Sequence, residues 1–208
     1  MLRKPILMNK LNKEKSQGKL VIGLIGTHTG AGVTHLGILL AVYLSECLGH
    51  KTAFIECGGN NDLKHLQEHF FHPEEEQYNQ ESFTLNRVTF HKNKRLQGLP
   101  EIIGDKYDCV ILDLGTDLAK HKSEFLRCDK KIVIGSLAVW KTHELEKFIN
   151  ITAPIKNCEQ WIYAIPFATK KTVREAEKKY KRIIQGVPYE PDPFLLTGNI
   201  IRLFQKLI

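Results

Sequence analysis

The chain has 208 residues, of which 42% are hydrophobic and 25% charged, with a formal net charge of +7. That is ample for one α/β domain with a sizeable core, and its balance is ordinary for a soluble globular protein. No run approaches the roughly 18 apolar residues that a membrane span needs, and the basic excess admits nucleic acid or an anionic membrane surface as a partner without requiring either.

Residues 1–18 mix Leu2, Ile6, Leu7, Met8 and Leu11 with Arg3, Lys4, Lys10, Lys13 and Lys15. This reads as a basic flexible tail or a short amphipathic surface helix, and Pro5 favours the tail. It has no uninterrupted apolar stretch, so no secretory signal is expected. The five cysteines (Cys47, Cys57, Cys109, Cys128, Cys158) form no C-x-x-C pair, which suits reduced thiols in a cytoplasmic protein. The remainder, 19–208, reads as a single domain.

Lys19 to Leu40, KLVIGLIGTHTGAGVTHLGILL, is the most informative stretch. A β-branched apolar run over Leu20–Ile25 breaks at Gly26 into a Gly/Thr-rich loop, and the loop opens at Thr34 into an apolar helix over Leu36–Leu48. Strand, glycine loop and helix make a phosphate-binding loop credible, because glycines let successive N–H groups converge at a helix N-terminus. Lys51–Glu56 is a second strand, followed by a Gly58–Gly59–Asn60 turn and a helix from about Asp62. His72–Glu81 is an acidic surface loop, and Ser82–His91 alternates like one strand whose pattern slips once. A basic turn over 91–95 leads to a short helix within LQGLPEIIG. Tyr107–Thr116, YDCVILDLGT, is a buried strand ending on Asp113, followed by the strand Lys131–Ser136. A helix over Val139–Asn150 would place Trp140, Leu145, Phe148 and Ile149 on its inner face. Gln160–Pro166 is a further strand. Lys170–Arg182 is a basic helix, with Lys171, Arg174, Lys178 and Arg182 at helical spacing, and an amphipathic helix spans Asn199–Ile208. The nine histidines show no metal-ligand spacing, and no Ser-His-Asp set can be nominated.

Strands alternating with helices after a glycine loop predict an α/β fold, a mostly parallel sheet flanked by helices on both faces. Ligands bind such sheets at the carboxyl ends of the strands, where Gly30, Gly32, Thr34, Glu56 and Asp113 converge.

The glycine loop resembles the deviant Walker A loop of the ParA/MinD (SIMIBI) P-loop NTPase superfamily, K-G-G-x-G-K-[ST]-[ST]. On that pattern His28 takes the first lysine, Thr29 and Gly30 the paired glycines, Gly32 the last glycine, Val33 the second lysine, and Thr34 the magnesium-ligating hydroxyl, with His35 after it. The Asp113 strand resembles the family's Walker B strand, and the P-D-P turn before the last helix resembles how such chains end. The resemblance implies a P-loop NTPase-like fold over 19–208, with ATP or ADP and Mg at His28, Thr29, Gly30, Gly32, Val33, Thr34, His35, Glu56 and Asp113. The metal would lie at Thr34 and Asp113. Both lysines are missing, and the family's D-x-D falls on Glu56, Cys57 and Gly58, so the second acid is a glycine. The implied protein is a degenerate member, comparable to the pilus-assembly localisation ATPases of the TadZ/CpaE type. It would bind nucleotide weakly or not at all, hydrolyse little, and act as a regulatory or positioning factor through a protein partner or homodimer. The alternatives are a slow ATPase of the ParA/MinD type, and a nucleic-acid or anionic-membrane adaptor using Lys171, Arg174, Lys178 and Arg182. Pro166 and Phe167 stand where relatives often carry an Asn-Arg pair that reads adenine. Phe167 is expected to pack in the core or a loop, with stacking on a base as the alternative.

Overall fold

The computed structural model describes residues 19–78, 80–94 and 106–208. The basic segment 1–18 and the helix expected near 96–104 lie outside them. Among the described residues eight strands form one sheet: β1 (Leu20–Gly26), β2 (Thr52–Glu56), β3 (Ser82–Leu85), β4 (Val88–His91), β5 (Cys109–Asp113), β6 (Lys130–Ile134), β7 (Ile162–Pro166) and β8 (Ile183–Val187). Their spatial order is β3-β4-β2-β5-β1-β6-β7-β8, with every pair parallel except β3–β4. The α/β sheet expected from the alternation of elements is therefore present.

Among the described residues six helices cover the sheet: α1 (Val33–Val42, continuing as a π-turn to Cys47), α2 (Asp62–Phe70), α3 (Leu118–Arg127), α4 (Thr142–Thr152), α5 (Lys170–Tyr180) and α6 (Gly198–Leu207). The period-2 alternation of the central strands sorts their side chains into two cores. Ile22, Leu24, Ile111 and Phe54 pack with α1, α6 and Leu63 of α2 on one face. Ile25, Val110, Leu112 and Val133 pack with Phe125, Leu145, Phe148 and Ala176 from α3, α4 and α5 on the other. Strand β1 is central, hydrogen-bonded to β5 and β6, and its carboxyl end carries the glycine loop at the middle of the sheet.

Three expectations need correction. Ser82–His91 is a hairpin, not one strand. The slip falls at Asn86 and Arg87, which both take positive φ (48° and 63°), the geometry of a two-residue hairpin turn. Trp140 does not face inward; it lies before α4 and is largely exposed, as is Val139. The basic helix ends at Tyr180, because Lys181 turns left-handed, and Arg182 lies off the helix with Nη2 3.6 Å from Cys158 Sγ. Phe167 lies in the turn after β7, largely exposed with its ring against Tyr189, so of the two placements expected for it the loop holds and the core does not. Helix α3 and strand β8 carry no sequence signal strong enough to have been expected: α3 is mostly polar, with Lys120, His121, Lys122, Ser123 and Glu124 in a row, and β8 contains Gly186 and an exposed Ile183. No disulfide joins the cysteines; Cys57, Cys109, Cys128 and Cys158 are buried and Cys47 is exposed. Among the described residues no helix is long and apolar enough to cross a membrane.

Candidate functional site

The site forms where β1, β2 and β5 end. Gly26 N–H donates to Gly115 O (2.8 Å) and Thr27 N–H to Ile134 O (2.9 Å), so the loop leaves the sheet anchored on both sides. Gly30 and Gly32 then take φ of +78° and +95°, a region that L side chains rarely adopt, and a Cβ on either would meet nothing within 4 Å. The backbone therefore curls over open space. Gly32 is the N-cap of α1 and offers no side-chain acceptor, so the first-turn amides of that helix have no capping partner. Thr29–His35, Asn60, Asp62, Gly115 and Thr116 enclose a cavity of about 260 Å³ in front of those amides. Uncapped amides at a helix N-terminus suit an anion.

The side chains at the two lysine positions supply no charge. Val33 is 6% exposed and turns under the loop, where its Cγ2 would be 2.8 Å from a Cβ on Gly26. His28 contacts Thr27 Oγ1 through Nδ1 at 3.3 Å. Burial, and next to it the positive charge of Lys141, push its pKa below the ordinary histidine value, so the ring is neutral at pH 7.

Opposite the loop, Thr34 Oγ1 lies 2.7 Å from Asp113 Oδ2 and 2.9 Å from Asp62 Oδ2. The hydroxyl has one proton and can donate it to one carboxylate at a time, which leaves lone pairs of the other for a cation or water. Asp113 Oδ1 accepts from Gly115 N–H at 3.0 Å. Asp113 is almost wholly buried, and desolvation raises its pKa despite those two donors. One hydroxyl and two carboxylates are hard oxygen donors of the kind that hold Mg²⁺ together with phosphate oxygens. Among the described residues no group of three or more His, Cys, Asp or Glu side chains could hold a metal alone. Asp62 was not anticipated from sequence, because it lies six residues beyond the strand-end acid Glu56. Its only signal was an acid at the first position of a helix that starts near the glycine loop's strand end.

Glu56 and His35 are occupied within the fold. The Glu56 carboxylate accepts from Leu63 N–H and Asn93 N–H, each at 3.2 Å, and does not line the cavity. Desolvation raises its pKa. His35 Nε2 donates to Glu190 O at 2.7 Å; a carbonyl only accepts, so the proton sits on Nε2. Gly58, the position of the second acid in the family pattern, packs on Gly115: a Cβ at 58 would lie 2.8 Å from Gly115 Cα and 3.0 Å from its N. Lys171, Arg174 and Lys178 are exposed on α5, away from this cavity.

No family model matches the sequence, and no curated protein matches it. Solved structures do match in fold. A plasmid partition protein from Borrelia burgdorferi, bound to AMPPNP, is 16% identical over 92% of this chain and 97% of its own, with a TM-score of 0.65. MinD from Aquifex aeolicus is 15% identical over 90% and 96%, with a TM-score of 0.66, and the same organism's MinC:MinD complex has also been solved. A ParA family ATPase from Chlorobium tepidum is 13% identical over 92% and 91%, with a TM-score of 0.58. These identities establish a likeness of fold: the chain has a P-loop NTPase-like α/β fold of the ParA/MinD kind.

Proposed function

We propose that the chain is a degenerate ParA/MinD-like P-loop protein that holds ATP or ADP weakly, hydrolyses it little or not at all, and serves as a regulatory or positioning factor. The observation that carries this reading is the contrast within one loop. Gly30 and Gly32 keep a left-handed curl in front of uncapped helix amides, while the residue at the lysine position, Val33, is buried under the loop. A backbone cradle can still accept phosphate oxygens, but without a cation it lacks a charge-assisted contact worth about 1.5–3 kcal/mol. Thr34, Asp113 and Asp62 are the residues that would hold Mg²⁺, which neutralises phosphate charge when bound. Gly58 has no room for the acid that would assist water attack. Output would pass through a protein partner or a second copy of the chain, a reading that the MinC:MinD complex of a fold neighbour supports.

Calorimetric titration with ATP-Mg and ADP-Mg tests this, with Thr34→Ala and Asp113→Ala as comparisons. Weak, saturable binding to the parent chain, lost in both variants, is expected. Absence of heat at high nucleotide would remove nucleotide from the account and leave a scaffold. A second reading, a nucleic-acid or anionic-membrane adaptor, draws support from the exposed cations Lys171, Arg174 and Lys178 on one helix. It requires salt-sensitive retention on DNA or anionic vesicles that disappears when those three charges are reversed.

A further inference from the structure

Among the described residues the sheet has two edges, and only one is covered. At β3 the Thr84 N–H donates to Gln77 Oε1 at 2.8 Å. The segment that brings Gln77 there is held by Gln67, whose Nε2 donates to Gln77 O and Gln80 O. At the opposite edge β8 pairs with β7 alone. Among the described residues no other hydrogen bond reaches the backbone of Ile183–Val187. Edges of this kind are usually blunted by proline, by a charge or by a covering loop, because their free N–H and C=O groups template a further strand. The five residues of β8, IIQGV, include neither proline nor charge.

The open edge forms the floor of a cleft. Ile184 lies in the core shared with Ala176 of α5, and Val187 in the core shared with Leu203 of α6, so one helix flanks the strand on each face. Both helices, with Ile184, Gln185 and Gly186 between them, enclose a cavity of about 740 Å³. Exposed cations line both walls: Lys170 and Arg174 on α5, Arg202 and Lys206 on α6, against one acid, Glu177. Among the described residues none of these four cations makes a salt bridge. The cleft shares no residue with the glycine-loop cavity.

We propose that β8 is a docking edge for an extended acidic peptide of a partner protein, which adds to the sheet as a further strand between α5 and α6. Successive side chains of an added strand point to opposite faces, so acids at neighbouring positions meet Lys170 and Arg174 on one side and Arg202 and Lys206 on the other. Charge selects this occupant. Two copies meeting edge to edge about a twofold axis would set these cations against their own images. Residues 1–18 carry five cations against the single acid Glu14, and so repel the cleft as well. A nucleic acid brings negative charge but no row of amides to pair with β8. The proposal names the partner's chemistry, rests on the reading that the chain acts through a protein partner, and needs no nucleotide.

The test titrates the full chain, free of nucleotide, with a labelled peptide of about eight residues made of Glu, Val and Thr, long enough to span β8. Saturable binding is expected, and none by the same peptide with Lys in place of Glu. N-methylation at every second residue leaves one edge of the peptide able to pair and should preserve binding. N-methylation at two adjacent central residues blocks both edges and should abolish it with the charge unchanged. Reversing Lys170, Arg202 and Lys206 to Glu should weaken binding by roughly tenfold or more with melting unchanged. Reversing Lys171 and Lys178, which are exposed on α5 outside the cleft, should leave it intact. Binding that survives adjacent N-methylation, or that ignores the cleft reversals, would overturn the docking edge. So would duplex DNA bound at these cations in place of the peptide, or self-association of the chain through β8. Absence of peptide binding while ATP-Mg still binds would overturn the edge alone; peptide binding together with steady ATP turnover would overturn the proposed function alone.

Discussion

Restoring the missing acid, Gly58→Asp, is the obvious repair for a degenerate D-x-D strand end, and the structure predicts that it fails. A Cβ at position 58 would lie 2.8 Å from Gly115 Cα and 3.0 Å from Gly115 N, and both are backbone atoms that cannot swing away. The two loops are also stitched together, since Asp113 O accepts from Cys57 N–H at 2.8 Å and from Gly58 N–H at 3.1 Å. Room for the new side chain must come from separating them, which also pulls on the Gly115 N–H bond to Asp113 Oδ1. Overpacking of this kind costs about 1–3 kcal/mol. For a chain of this size that corresponds to a melting temperature lower by roughly 2–12 °C. Differential scanning calorimetry reads the destabilisation, and a phosphate-release assay reads the activity. Equal melting together with gained ATP turnover would refute the steric argument.

Three further outcomes follow from the same geometry. Val33→Lys restores a cation at the lysine position of the loop, and an ammonium that turns out from under the loop to reach the cavity should tighten ATP-Mg binding by about ten- to a hundredfold. The loss of packing against Gly26 should lower its melting point by a few degrees; unchanged affinity in a folded variant would show that the lost lysine is not what weakens the loop. His91, which contacts Tyr107 through Nε2 at 3.0 Å, is pushed down to about 4 by burial and then by Lys94 and Lys106. Its folded pKa lies below its unfolded value near 6.5, so its contribution is fully present above pH 6.5 and is lost as pH falls towards 4. At 1.36 kcal/mol per pH unit, and discounted for the screening of a half-buried ring, this is worth about 1–2 kcal/mol. Burial raises Asp113 and Glu56 and gives them the opposite slope, so urea melts of the parent against His91→Gln isolate the effect. A pH dependence identical in the two proteins would contradict it. Asp62→Asn should weaken the Mg²⁺ dependence of nucleotide binding while leaving melting within about a degree, since Asp62 is exposed; unchanged Mg²⁺ dependence would remove Asp62 from the site.

The parts of the fold legible in the sequence are those where one local signal dominates. The β1 strand, the glycine loop and α1 combine a β-branched run, two glycines and an apolar helix, and the structure places them as expected. The Cys109–Asp113 strand is legible because it is buried on both faces and so reads as a continuous apolar run. The β3–β4 hairpin was half legible, since its alternation was visible but Asn86-Arg87 lacks the glycine that usually marks a two-residue turn. The expected basic helix ran two residues too far, because Lys179, Lys181 and Arg182 continue a basic pattern across a boundary set by the backbone of Lys181, and strand β8 beyond it carries too weak a signal to be read. At the site, Thr34 and Asp113 carry family spacing and were legible. Asp62 was not, because it reaches Thr34 only through tertiary packing, from the start of α2.

The central claim is a phosphate loop that has kept its backbone cradle and lost its capacity for turnover. The most direct measurement is phosphate release from saturating ATP-Mg by the purified chain, run beside Thr34→Ala. Both are expected to release phosphate at the rate of the protein-free control. A steady release by the parent chain that Thr34→Ala abolishes would contradict the claim and establish a working ATPase without either lysine.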